Sequence, residues 1–203
     1  GTYLEQPILD YRHQGVVQLH GRSGSDNFNL YYSTSSVLNQ QQGSTLRSGI
    51  IQSATFDDNH DGIVDRLELQ VSMPLLATEE VHGMSATFFH DVKLKDKAKV
   101  VFDSVSSVNF ESGDVAISSV AIGGDLSVKT TEPLTAGGKY KVPYLNNPLL
   151  PETKAAGVSA VTYGIREVLQ TAASRAVSSS FQQTYATAVR IMGATEVGIV
   201  AKT

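Results

Sequence analysis

Apolar and polar residues alternate along most of the first 145 positions, and a period of two predicts half-buried strands. Leu67, Leu69, Val71 and Met73 share one parity, while Arg66, Glu68, Gln70 and Ser72 share the other. Between 81 and 94, Met84, Ala86, Phe88, Val92 and Leu94 point one way. "GVVQLHG" and "FNLYYSTS" flank the turn-rich "GRSGSDN" and predict a hairpin. "AKVVFDSVSSVNF" and "DVAISSVAI" extend the series. In the latter the apolar parity changes between Ile117 and Val120, which predicts a bulge near Ser118–Ser119.

The pattern changes over 152–177. Val158, Val161, Ile165, Val168 or Leu169, Ala172 and Ala176 fall at helical spacing and predict one amphipathic helix, Ser159 to Ser174. Ser159 is placed to cap it, and Gly164 weakens it by about 1 kcal/mol relative to Ala. Two strand-like runs close the chain: Tyr185, Thr187, Val189 and Ile191, then Val197, Ile199 and Ala201. Many strands and one late helix predict a mainly β fold. The expected form is an antiparallel β-sandwich with the helix on a face or across an end, in a single domain over 1–203. The Pro-rich "PYLNNPLLPE" at 143–152 reads as the loop from sheet to helix.

Composition narrows the classes. Hydrophobic residues are 41% and charged residues 18% of the 203, so the chain is globular rather than disordered. The net charge is -4, and no run of Lys or Arg suggests a nucleic-acid surface. The absence of cysteine excludes disulfides, thiolate metal sites and a Cys nucleophile. No apolar run approaches the roughly 20 residues of a membrane helix. There is no signal peptide and no N-x-Ser/Thr acceptor; the abrupt start at "GTYLEQP" reads as a segment cut from a longer protein.

One stretch carries candidate chemistry. In "DDNHDGIVDRLE", Asp57, Asn59, Asp61, Gly62, Asp65 and Glu68 match loop positions one, three, five, six, nine and twelve of an EF-hand. Ca2+ takes six to eight hard oxygens, and four carboxylates crowded at Asp57, Asp58, Asp61 and Asp65 repel one another without a cation. The residues after the loop are strand-like, however, so the exit helix is missing. An extended segment puts Glu68 roughly 10 Å from Asp65. The expected ligands are therefore Asp57, Asn59, Asp61, the Ile63 carbonyl and Asp65 rather than Glu68, holding a structural Ca2+. The alternative is an acidic turn held by Asx hydrogen bonds without metal.

Other chemistry is sparse. The five histidines, at 13, 20, 60, 82 and 90, show no tight ligand spacing. His90 lies on the apolar parity of its strand and reads as a satisfied core or rim histidine; His60 reads as an exposed spacer. "GRSGS" is a turn rather than a nucleophile elbow. Glu79–Glu80 is a carboxylate pair of ordinary kind. "GGDLSVKTTEPLTAGG" at 123–138 reads as structural, its Gly pairs bracketing a short strand and Pro133 marking an edge. No constellation assembles, so no enzymatic activity is expected.

Four stretches, in order, resemble the region between the two membrane helices of the transmembrane protein 231 family. They are "YLEQP" at 3–7, "DDNHDGIVDRLEL" at 57–69, "PLLATEEVHG" at 74–83 and "GGDLSVKTTEPLTAGG" at 123–138. The resemblance covers most of 2–142 and is looser beyond. It implies a non-catalytic scaffold ectodomain of a two-pass membrane protein of the ciliary transition zone, on the non-cytoplasmic side. It implies tectonic and meckelin as partners in a complex that limits membrane-protein diffusion into the cilium and supports ciliogenesis. If both ends lead into adjacent membrane helices, Tyr3 and Lys202 should lie on one side of the fold. A competing reading is a calcium-stabilised extracellular glycan-binding β-sandwich, which would gather Tyr31, Tyr32 and Tyr140 on one concave face. A third reading, a hydrolase, would need a deep polar pocket with converging carboxylates.

Overall fold

The structure is a computed structural model and describes residues 5–40, 43–150, 165–190 and 196–202. Its elements run β1 (Ile8–Ser23), β2 (Asp26–Ser33), a short α1 (Ser36–Asn39), β3 (Ile50–Phe56), β4 (Arg66–Pro74), β5 (Glu79–Leu94), β6 (Val100–Glu111), β7 (Ser119–Thr130), α2 (Ile165–Ser174), β8 (Val177–Val189) and β9 (Glu196–Lys202). They form two sheets, a four-stranded one in the order β2-β1-β5-β6 and a five-stranded one in the order β3-β4-β9-β7-β8. All pairs are antiparallel except β7 with β9. The expected hairpin is present: Ser23 faces Asp26 across a two-residue turn in which Gly24 adopts φ 62°.

The main core lies between the sheets. Val17, Leu19, Met84 and Phe88 meet Leu69, Val71, Val120 and Ile122 there, all nearly inaccessible to water. Each such side chain stabilises the fold by about 1.5–3 kcal/mol relative to leaving it exposed. The period-two reading of β4 holds, since Leu67, Leu69, Val71 and Met73 are buried. β5 departs from it. Both of its parities are buried, because a second cluster covers the outer face of the four-stranded sheet. There Val16, Tyr31, Phe89 and Val105 pack under Leu38, Leu149, Leu150, Val168 and Ala172. The helix is thus found on a face, with Val168 and Ala172 at the predicted spacing. Its expected first turns, with Ser159, Val161 and Gly164, lie outside the described residues.

Two further expectations are corrected. The parity change near Ser118–Ser119 is not a bulge. Ile117 bridges Val81 in the first sheet and Ser119 opens β7 in the second, so the chain changes sheets at Ser118 and its inward side reverses. The irregularity in β7 falls instead at Gly123–Gly124. β8 begins at Val177, well before Tyr185, and Tyr185 and Val189 are exposed. It is the edge strand of the five-stranded sheet, and among the described residues it is exposed from Gln182 onward. Ile191 lies outside the described residues.

One buried ion pair fastens the outer layer. Arg175, just past α2, donates from Nη1 to Asp103 Oδ1 at 2.6 Å, and its guanidinium stacks 4.0 Å from the Tyr144 ring centroid. The other Asp103 oxygen accepts the Leu149 N–H. A single carboxylate on β6 therefore anchors both the 143–150 loop and the end of the helix.

Candidate calcium loop at one end of the sandwich

β3 and β4 are an antiparallel hairpin closed by the acidic residues 57–65, with the Asp65 N–H donating to the Phe56 carbonyl at 2.9 Å. Inside the loop every acidic side chain of the expected set turns to the backbone. Asp57 accepts the N–H groups of Asp61 and Gly62 at 3.1 and 2.8 Å. Asp61 accepts that of Ile63 at 2.8 Å, and Asn59 Oδ1 that of Asp61 at 2.9 Å. Asp65 reaches back to the N–H groups of Asp58 and Asn59 at 2.9 and 3.1 Å. Gly62 takes φ 83°, the left-handed turn expected of position six, and exposed His60 takes φ 63°.

Asp65 and Glu68 divide as the extended exit requires. Asp65 points into the loop, whereas Glu68 lies on β4 and pairs with Arg66. The Gln6 amide, donating to Asp65 at 2.9 Å, and the Asn59 N–H hold the Asp65 carboxyl below the usual carboxylate range. Among the described residues, no group of three or more His, Asp or Glu side chains converges closely enough to grip a metal as they stand. The donors nevertheless suit Ca2+. All are hard oxygens, and the Asp57 and Asp61 oxygens that accept one N–H each keep a second lone pair, whereas Asp65 Oδ2 already accepts two and would have to exchange one of them for the ion. The same hydrogen bonds are those of the metal-free Asx turn.

The loop sits at the end of the sandwich where the first and last described residues lie. Gln6, two residues before β1, touches Asp65. The backbone of residue 202, the last of β9, lies opposite that of Glu68 in the neighbouring strand. β1 begins at this end and β9 runs toward it, so residues 5–6 and 202 share one side of the fold. Tyr3 itself lies outside the described residues.

The remaining candidates scatter. His90 is buried, with Nε2 3.2 Å from Ser179 Oγ, and burial pushes its pKa down to about 4. Glu79 does not face Glu80; it takes both guanidinium nitrogens of Arg47 at 2.7 and 2.9 Å, and that pairing holds its carboxyl below the ordinary range. A polar recess of about 530 Å³ on the four-stranded sheet holds the exposed pair His20–Glu111, 2.8 Å apart, and among the described residues that line it Glu111 is the one carboxylate. The aromatic platform of the glycan reading is not formed. Tyr31 is buried under the outer layer, Tyr32 packs on the opposite face toward the main core, and Tyr140 lies apart, exposed, near Lys93. Alternation in one strand forces Tyr31 and Tyr32 to opposite faces.

Sequence reading missed the lysines. Seven of the nine stand at 93, 95, 97, 99, 129, 139 and 141. The signal was present as spacing rather than as a run: four of them alternate along the end of β5 and the turn after it.

The chain is similar to known proteins over most of its length. A family model described as Transmembrane protein 231 matches residues 1–201. Proteins named Transmembrane protein 231 from Homo sapiens and Pongo abelii are each 30% identical over 148 residues, covering 71% of this chain and 46% of theirs. The one from Xenopus tropicalis is 27% identical over the same length. The chain thus spans about half the length of the curated relatives it matches. No solved structure matches. No helix among the described residues is long and apolar enough to cross a membrane.

Proposed function

Because this chain belongs to the transmembrane protein 231 family, we propose that it is the folded domain of a two-pass membrane protein. It stands on the bilayer by segments flanking it in the whole protein and serves as a non-catalytic scaffold. The setting of this reading is the ciliary transition-zone membrane, with the domain on the non-cytoplasmic side. Tectonic and meckelin grip it in a complex that restricts membrane-protein diffusion and supports ciliogenesis. The observation that favours it is the shared end: residue 6 contacts Asp65, and the backbone of residue 202 lies opposite that of Glu68. A domain hung from a bilayer at both flanks needs this placement, whereas a module threaded in series needs none. The scatter of titratable side chains favours contact over chemistry, since no nucleophile, base and orienting group converge among the described residues. In this reading Ca2+ is structural, and it stiffens the 57–65 loop at the tethered end.

The test uses the whole protein in ciliated cells. With this domain in place, it should concentrate at the ciliary base and co-purify with tectonic and meckelin. Replacing residues 8–189 by an unrelated β-sandwich of similar size should leave membrane insertion intact and abolish co-purification. Retention of both partners by the replaced protein would refute the scaffold reading.

A further inference from the structure

The lysines are distributed very unevenly. None occurs in the first 92 residues, and seven of nine fall in 93–99 and 129–141, against Asp96 and Glu132 in the same segments. The chain as a whole carries -4, so this is a strong local reversal of charge.

The fold gathers these segments at the end already described. Lys93 faces Ile8 at the start of β1. The β5–β6 turn with Lys95, Lys97 and Lys99 lies against the 131–142 loop: the Gly137 N–H donates to the Lys97 carbonyl at 2.7 Å, and the Lys141 N–H to that of Lys99 at 2.9 Å. Lys129 is one residue from the lower end of β7. Glu5 is bound into the turn, its carboxylate accepting the N–H groups of Lys95 and Asp96 at 2.6 and 2.8 Å. Lys95, Lys129, Lys139 and Lys141 are exposed.

Apolar surface accompanies the charge. A recess of about 550 Å³ opens between the turn and β7, lined by Pro7, Leu94, Ala98, Leu126, Val128 and Leu134. Tyr140, Val142 and Leu145 are exposed nearby, Leu145 at 72%. Lysines around a modest apolar patch match a phospholipid surface, which offers anionic headgroups above hydrocarbon. The acidic loop lies at the other edge of the same end, under β3 and β4. The end is therefore polarised across its width, and an anionic bilayer draws in the lysine side.

We infer that the lysine-bearing end, formed by the β5–β6 turn, residues 129–142 and the apolar recess, is a docking surface for anionic phospholipid. Its orientation toward the bilayer rests on the tethered reading above. The attraction itself does not, because it needs no flanking segment and no partner protein.

The 203-residue chain is mixed with vesicles of phosphatidylcholine containing 30% phosphatidylserine, roughly a mildly anionic membrane, or of phosphatidylcholine alone, and sedimented. Binding is expected only to the anionic vesicles, and it should weaken as salt rises. Neutralising exposed lysines by Lys95→Gln, Lys129→Gln and Lys139→Gln together should weaken it at least tenfold, since each lysine near the surface is worth roughly fivefold. Arg22→Gln, at the opposite end, should leave it unchanged. A second measurement needs no charge change. The chain has no cysteine, so an environment-sensitive dye on Thr131→Cys should report lipid and the same dye on Ser25→Cys should not. Equal binding to neutral vesicles, no loss in the lysine variant, or equal dye response at both positions would overturn the inference. So would binding to polyglutamate without binding to vesicles, which would mark the surface as one for an acidic protein. Vesicle binding without partner retention in cells would sink the scaffold reading alone, and the reverse would sink this one alone.

Discussion

At the scale of single residues, two buried polar groups dominate. Arg175 and Asp103 are nearly closed to water, and besides each other they satisfy backbone groups of the outer layer, Arg175 donating to the Asn147 carbonyl and Asp103 accepting the Leu149 N–H. Arg175→Met leaves a buried carboxylate without its cation and should destabilise the fold by about 3–5 kcal/mol in urea unfolding. Adding Asp103→Leu should recover part of that loss, because the stranded charge is then gone. His90 sets a pH dependence. Its folded pKa, about 4, lies below the ordinary 6.5 because burial disfavours the imidazolium. Above pH 6.5 the residue is neutral in both states and costs nothing. As pH falls from 6.5 to 4 the unfolded chain takes up a proton that the folded chain refuses, so stability drops, by about 3 kcal/mol in all, and then levels. Unfolding free energies of the parent and of His90→Gln, measured from pH 7 to 4, should diverge by that amount; parallel curves would refute it.

Elements are set by close approach and by loop chemistry. At Gly21, beside an irregularity in the β1–β5 register, an added Cβ would lie 1.9 Å from the Glu80 carbonyl oxygen. At Gly123 the obstacle is the ring of half-exposed Tyr185, 2.0 Å away. Backbone cannot step aside and an exposed side chain can. Gly21→Ala should therefore cost about 2 kcal/mol or more, and Gly123→Ala about 1 kcal/mol or less. The 57–65 loop is the other element-scale matter. Millimolar Ca2+ should raise the thermal midpoint relative to EDTA, and Asp61→Asn should remove most of that rise. An unchanged midpoint with no heat of binding at millimolar Ca2+ would leave the loop as a plain Asx-bonded turn.

For the whole molecule, the decisive feature is that one end holds nearly everything of functional interest. The described ends, the acidic loop and the lysine surface all lie there, while the Gly24 turn lies at the other pole. Joining residue 5 to residue 202 by a short Gly/Ser linker and opening the chain between Gly24 and Ser25 should give a permutant with a single cooperative unfolding transition. Loss of cooperativity would mean that the two ends are not neighbours.

Much of this was legible in the chain because its physical cause is local. Alternation in 66–73, turn chemistry at 21–27, the Asp/Asn/Gly spacing of 57–65 and the helical spacing of Ile165, Val168 and Ala172 each follow from neighbours a few residues apart. Burial of β5 on both faces was not legible, because Leu149, Leu150 and α2 reach its outer side from more than 50 residues away. Nor was the change of sheet at Ser118, where the local pattern of a bulge and of a crossover is the same. Tertiary structure alone separated Tyr31, Tyr32 and Tyr140, paired Arg47 with Glu79, and brought lysines from two distant segments together beside the start of β1. Periodicity determines which side of an element meets apolar surroundings; only the packed chain decides what stands across from it, because charge and contact act through space and not along the sequence.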